Sequence, residues 1–175
     1  GTATFVVGYQ PFGSTTVTAR VVSAADVENT GVFKILTDIV LVTPASGTVG
    51  TVVNVQGTGF ATSETINIEF GNSTFGEGNI PDASGIFTCF FTVNSQPYGT
   101  TTVKTIGYTS LVPVYRSFII LPKLTNVSPL SGTVGTIVTI WMDGFAAGEP
   151  VRVAFGRNAS ITYATTNNMG TLSTT

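Results

Sequence analysis

The segment Pro44-Ala-Ser-Gly-Thr-Val-Gly-Thr-Val-Val-Asn-Val-Gln-Gly-Thr-Gly-Phe60 occurs twice in this chain. It returns as Pro129-Leu-Ser-Gly-Thr-Val-Gly-Thr-Ile-Val-Thr-Ile-Trp-Met-Asp-Gly-Phe145. Ser46 and Ser131, Gly50 and Gly135, and Phe60 and Phe145 each stand 85 positions apart (131 − 46), so the copies keep register without a gap. A period of that length exceeds those of solenoid repeats and suits one small β-sandwich domain. The 175 residues therefore hold about two such units.

The residues between the copies read as strands and turns. Gly1 to Val7 and Ser14 to Val22 have strand patterns, joined by the turn Gly8-Tyr-Gln-Pro-Phe-Gly13. A polar stretch from Ser23 to Gly31, with Asp26, Glu28 and Asn29, precedes a short strand from Val32 to Leu36. The same order returns later. Gly85 to Val93 is a strand, Asn94 to Gly99 a turn, Thr100 to Ile106 a strand, and Arg116 to Leu121 another after a loop containing Pro113. Pro11-Phe-Gly13 and Pro97-Tyr-Gly99 lie 86 positions apart (97 − 11). In the middle, Asp38 to Thr43, Thr51 to Gln56 and Thr65 to Phe70 are strands, with a turn at Ser46-Gly47 and a Gly-rich loop from Gly71 to Ser84. Leu124 to Val127, Thr136 to Met142 and Pro150 to Phe155 repeat those three strands. No stretch carries a helical apolar period. The expected class is all-β: residues 1–37 form the second half of a repeat, 38–122 a complete repeat, and 123–175 the first half of another.

Half a sandwich leaves one apolar face bare and its strand edges unpaired, which is a poor basis for independent stability. The inward residues Val138, Ile140, Val151, Val153 and Phe155 need partners of the kind that Phe5, Val7, Val17 and Ala19 supply. Two arrangements satisfy them. Neighbouring repeats of a long tandem array complete the halves in cis, or the N-terminal half of one copy completes the C-terminal half of the next, head to tail. In both, the partner is the protein itself. No signal peptide stands at Gly1, which fits either a processed chain or a segment of a longer one.

The pattern Pro-x-Ser-Gly-Thr-x-Gly-Thr-x-Val/Ile, then Gly-Phe-Ala and a strand ending Phe-Gly, covers Pro44 to Gly71 and Pro129 to Gly156. It resembles the IPT/TIG-like and related immunoglobulin-like repeats of bacterial and archaeal surface proteins. The resemblance implies tandem immunoglobulin-like β-sandwich repeats of about 85 residues, placed outside the cell or at its surface in stalks, adhesins and filaments. Gly50 and Gly135 then occupy turns that call for positive φ, and Phe60 and Phe145 plug an end of each sandwich. The chain departs from the family in its low charge. Only 9% of its residues are charged against a typical ~25%, which suits a densely packed assembly of many copies.

Composition removes several function classes. Seven scattered Lys and Arg and a net charge of −2 offer no basic face for nucleic acid. No apolar run approaches the ~20 residues of a membrane-spanning helix. The absence of His takes away the commonest general base and metal ligand, and no nucleophile–base constellation exists, so the chain does not read as an enzyme and implies no cofactor or metal. Cys89, between Phe87 and Phe91, reads as a buried apolar residue. Asp82 and Glu77 read as turn residues rather than Ca²⁺ ligands, since the third repeat has Asn167-Asn-Met-Gly170 in place of Asp82 and its neighbours. Lys104 reads as an outward Lys that blunts a sheet, rather than as a crosslinking Lys beside an acid and an amide. Asn72, Asn126 and Asn158 begin glycosylation sequons, the first and last in matching loops. The leading expectation is a structural component of an extracellular fibre. The alternative is an adhesin or glycan-binding stalk using the loops Gly71 to Ser84 and Ser23 to Gly31, with Phe75 and Tyr163 as its loop aromatics.

Overall fold

A computed structural model describes residues 2–23 and 27–174, without the side chains of residues 76, 77 and 158–161. The described residues contain no helix, hence none long and apolar enough to cross a membrane. The protein is all-β. In chain order the strands are β1 (Gly13–Arg20), β2 (Glu28–Ile35), β3 (Asp38–Thr43), β4 (Ser46–Gly47), β5 (Val52–Thr58), β6 (Ile66–Phe70), β7 (Ser73–Asn79) and β8 (Phe87–Thr92). They continue as β9 (Gly99–Gly107), β10 (Val114–Ile120), β11 (Lys123–Ser128), β12 (Thr139–Asp143), β13 (Pro150–Phe155), β14 (Asn158–Thr165) and β15 (Leu172–Thr174).

Among the described residues these strands form the sheets β3-β5-β8, β4-β10-β9-β6-β7, β1-β2, β11-β12-β15 and β13-β14. Period-two patterning decides which side chains go inward. In β6, Ile66, Ile68 and Phe70 are buried while Asn67 and Glu69 between them are only half-buried; in β8, Phe87, Cys89 and Phe91 alternate with exposed Thr88, Phe90 and Thr92. Such one-sided burial on antiparallel strands is compatible with a β-sandwich.

The chain divides into two compact units. One comprises residues 1–42, 54–90 and 103–116, the other 43–53, 91–102 and 117–175. The first has its core in Ile39, Val55, Phe60, Ile66, Ile68, Phe70, Phe87, Cys89 and Val103. Phe60 is fully buried and meets Phe87 edge to face, ring centres 5.0 Å apart. The second has its core in Val53, Phe91, Val93, Phe118, Ile120 and Met142. There Ser46-Gly47, expected as a turn alone, forms a two-residue strand parallel to Ile119-Ile120.

Several expectations need correction. The Gly-rich stretch 71–84 is not a loop throughout. Its first half is β7, which hairpins onto β6, and β14 does the same on β13. Ser, Thr, Gly and Asn hide a strand whose side chains need not enter the core. Part of the polar stretch 23–31 belongs to β2, paired with β1 from Gly13↔Ile35 to Arg20↔Glu28. Conversely, residues 2–12 form no strand, although Gly1 to Val7 reads as one, because a strand needs a ladder partner and none is present there among the described residues. For the same reason β12 begins at Thr139 rather than at Thr136.

Candidate assembly surface

Two bare apolar surfaces stand out, one in each unit. In the first unit Phe5, Val7, Val17 and Phe33 are exposed and, with Thr15, line an open hollow of about 270 Å³. The matching residues 85 or 86 positions later are in a different state. Phe91, Val93 and Val103, which lie 86 positions after Phe5, Val7 and Val17, are buried; Phe5 is 68% exposed and Phe91 is 4%. Phe118, 85 positions after Phe33, is fully buried. The step from 86 to 85 follows from packing: a Cβ on Gly59 would strike the Leu36 carbonyl, and one on Gly144 the Leu121 carbonyl, so Leu36 and Leu121 are equivalent.

The second unit shows the complementary deficit. Val138 and Phe155 are exposed, and Ile140, Val151 and Val153 are half-buried. Their counterparts 85 positions earlier, Val53, Phe70, Val55, Ile66 and Ile68, are all fully buried. Phe155 is 75% exposed where Phe70 is 0%.

Sheet edges follow the same division. In the five-stranded sheet β9 lies between β10 and β6. Among the described residues β1 pairs with β2 alone and β13 with β14 alone. The pair β2-β1 is the counterpart of β10-β9, and β13-β14 that of β6-β7. Each two-stranded sheet thus lacks the neighbour that the other resembles.

One backbone pattern occurs twice, at positions 85 or 86 apart. Phe12 N–H donates to the Phe60 carbonyl (3.0 Å) and Phe60 N–H to the Gly85 carbonyl (3.1 Å). Tyr98 N–H donates to the Phe145 carbonyl (2.9 Å) and Phe145 N–H to the Gly170 carbonyl (3.1 Å). Gly85 and Gly170 have φ of 73° and 68°, and a Cβ on either would press on the carbonyl of Phe60 or Phe145. Gly50 and Gly135 both have φ of 91°, as their turns require.

A buried carboxylate escaped sequence reasoning. Glu64 accepts from Ala61 N–H through Oε1 (2.6 Å) and from Thr109 and Ser110 N–H through Oε2 (2.9 and 2.8 Å). It lies over Gly107, where a Cβ would collide with the carboxyl group. The only signal was an acid after a Gly-Phe-Ala turn, shared by Glu149, whose Oε2 accepts from Ala146 N–H (2.9 Å).

The remaining candidates fall into structural roles. Asp82 Oδ1 accepts from the N–H groups of Ser84 (2.8 Å) and Ile86 (3.0 Å), and Asn167 Oδ1 from those of Met169 and Thr171. An amide serves as well as a carboxylate, so the position holds a turn. The Glu77 side chain and Asp26 lie outside the described residues. Lys104 does not blunt an edge, because β9 is an interior strand; its Nζ pairs with Glu69 Oε2 at 3.0 Å, and Asn67 Nδ2 reaches Glu69 Oε1 at 3.4 Å. Cys89 is buried, and burial pushes its thiol pKa up. Asn72 is exposed in the β6–β7 turn, Asn126 is exposed on β11 with Oδ1 on Val127 N–H (2.9 Å), and the side chain of Asn158 is outside the described residues. Phe75 and Tyr163 sit on β7 and β14 rather than on loops. Comparison with protein-family models, curated proteins and solved structures found no match.

Proposed function

We propose that this chain is a structural component of an extracellular filament or cell-surface fibre. It is built from immunoglobulin-like β-sandwich repeats of the IPT/TIG-like kind, with 38–122 as a complete repeat and 1–37 and 123–175 as halves. Load is carried by completing those halves along the fibre, in cis along an array or head to tail between subunits. The observation that carries this reading is the division of sheets: β2-β1 and β13-β14 correspond to the two parts of the central five-stranded sheet, and each exposes the edge and the apolar residues that the central repeat covers. Each such side chain contributes about 1.5–3 kcal/mol when fully buried, so leaving them bare is costly. The low charge fits a surface that is mostly covered by its own kind.

The test is to isolate the polypeptide from its native source, image it, and weigh it after denaturation. Extended fibres of beaded domains are expected. A mass near 18.2 kDa, or above it by glycans on Asn72, Asn126 or Asn158, means discrete subunits; a mass many times larger means completion in cis. Discrete globular particles with a bound glycan would overturn the fibre and favour the adhesin.

A further inference from the structure

We propose that the occupant of both bare surfaces is a second copy of this chain, joined head to tail in the strand register that the central repeat displays. This rests on the fibre reading and commits it to one partner and one alignment.

The register comes from three backbone relations inside the central repeat. First, β6 and β9 pair antiparallel through Phe70↔Val103, Ile68↔Thr105 and Ile66↔Gly107. Transferred by the repeat offsets, Phe155 of one copy faces Val17 of the next, and Val153 faces Ala19. That sets β1 on the outer edge of β13 and restores the order β2-β1-β13-β14. Second, Val93 N–H donates to the Thr51 carbonyl (2.8 Å), and Gly50 N–H to the Val93 carbonyl (2.9 Å). The equivalents are Val7 with Thr136 and Gly135, with Phe5 opposite Val138. Here β12 is short: β5 starts at Val52, the counterpart of Ile137, whereas β12 starts at Thr139. The two residues missing from β12 lie beyond the reach of β15, which covers only Ile140 to Met142, and beside the place that Phe5 to Val7 would take. Third, Ile119 and Leu121 N–H donate to the carbonyls of Ala45 and Gly47 (3.1 and 2.9 Å). Lys34 and Leu36 stand in the same relation to Leu130 and Gly132.

Charge follows the alignment. Lys104 and Glu69 face each other and form an ion pair; at the junction both positions are neutral, Thr18 and Ala154. At that position neither surface keeps an unpaired charge. The next outward pair, Ile106↔Asn67, becomes Arg20 opposite Arg152. Arg20 is already held by Glu28 through Nε (3.0 Å) and Nη2 (2.6 Å), which offsets the like-charge contact. The Glu64 clamp does not carry over, because Val21 stands where Gly107 does.

The experiment uses the full chain with Cys89→Ala, Thr18→Cys and Ala154→Cys, oxidised and run on a non-reducing denaturing gel. Facing positions crosslink, so a ladder extending past dimer is expected, while a mixture of the two single variants stops at dimer. The pair Thr16→Cys with Ala154→Cys, two residues out of register, should stay largely monomeric. A cysteine-free check measures the fraction of chain pelleted as polymer. Glu28→Gln should lower association roughly two- to fivefold by leaving Arg20 to face Arg152, and Glu28→Gln with Arg152→Gln should restore it. Fibres that crosslink only through the out-of-register pair would overturn this alignment and leave the fibre reading standing. A folded chain that stays monomeric at all concentrations and gives no ladder would overturn the second copy as partner. Completion in cis would then be decided by the mass from the native source.

Discussion

Glu64 shows how one side chain ties distant segments of the first unit together. Its carboxylate takes three backbone N–H groups, two of them more than forty positions away, and none is left for water to satisfy. Glu64→Gln replaces one acceptor oxygen with an N–H₂ that faces a donor, and should cost about 2 kcal/mol in chemical denaturation. Gly107→Ala should lose a similar amount by pushing the carboxyl group off its site. Cys89 gives a pH dependence of known sign. Burial raises its folded pKa, followed by smaller opposing effects from hydrogen bonds with Asn79 and with the Phe90 backbone. Above the ordinary thiol pKa the unfolded chain releases a proton that the folded chain keeps, so this contribution to stability is present below that pKa and falls as pH rises through the folded value. Denaturation midpoints in the alkaline range should therefore decline for the wild type more than for Cys89→Ala, and a thiol reagent should react with the native chain far more slowly than with the unfolded one.

At the scale of elements, the repeat junctions and the frayed strands make separable predictions. Gly85 and Gly148 both have positive φ, but only Gly85 has backbone close to its missing Cβ, with the Phe60 carbonyl at 2.6 Å and Pro11 Cα at 2.7 Å. Gly148→Ala should cost about 1–2 kcal/mol from backbone strain alone, and Gly85→Ala distinctly more, read as the difference in denaturation midpoints. The strands β5 and β12 have matching sequences and unequal partners. Amide hydrogen exchange on the unassembled chain should find Val53 and Val55 protected and Val138 exchanging rapidly, with protection at Val138 returning on assembly.

For the whole molecule, a partner that binds only the folded state makes stability depend on concentration. If copies complete one another, a tenfold increase in concentration should stabilise each junction by about 1.4 kcal/mol, seen as a rising Tm; a Tm independent of concentration argues for completion in cis. Much of this was legible in the sequence, because sequence identity at fixed spacing reports equivalent strands and inward parity, whether or not a partner covers them. The strands of the central repeat, the buried Cys89 and the turn role of Asp82 followed from parity and punctuation. The hairpin strands β7 and β14 did not, since Ser, Thr, Gly and Asn on a strand outside the core leave no apolar period.

The amino-acid sequence by itself determined the repeat, its period and the inward parity of each strand, because these are local matters of side-chain type and alternation. Only the tertiary structure decided which of those inward residues are covered. Phe5 and Phe91 have the same chemistry and the same parity, yet one is exposed and the other buried. The difference lies in whether a partner strand from elsewhere in the fold is present, and local sequence carries no record of that.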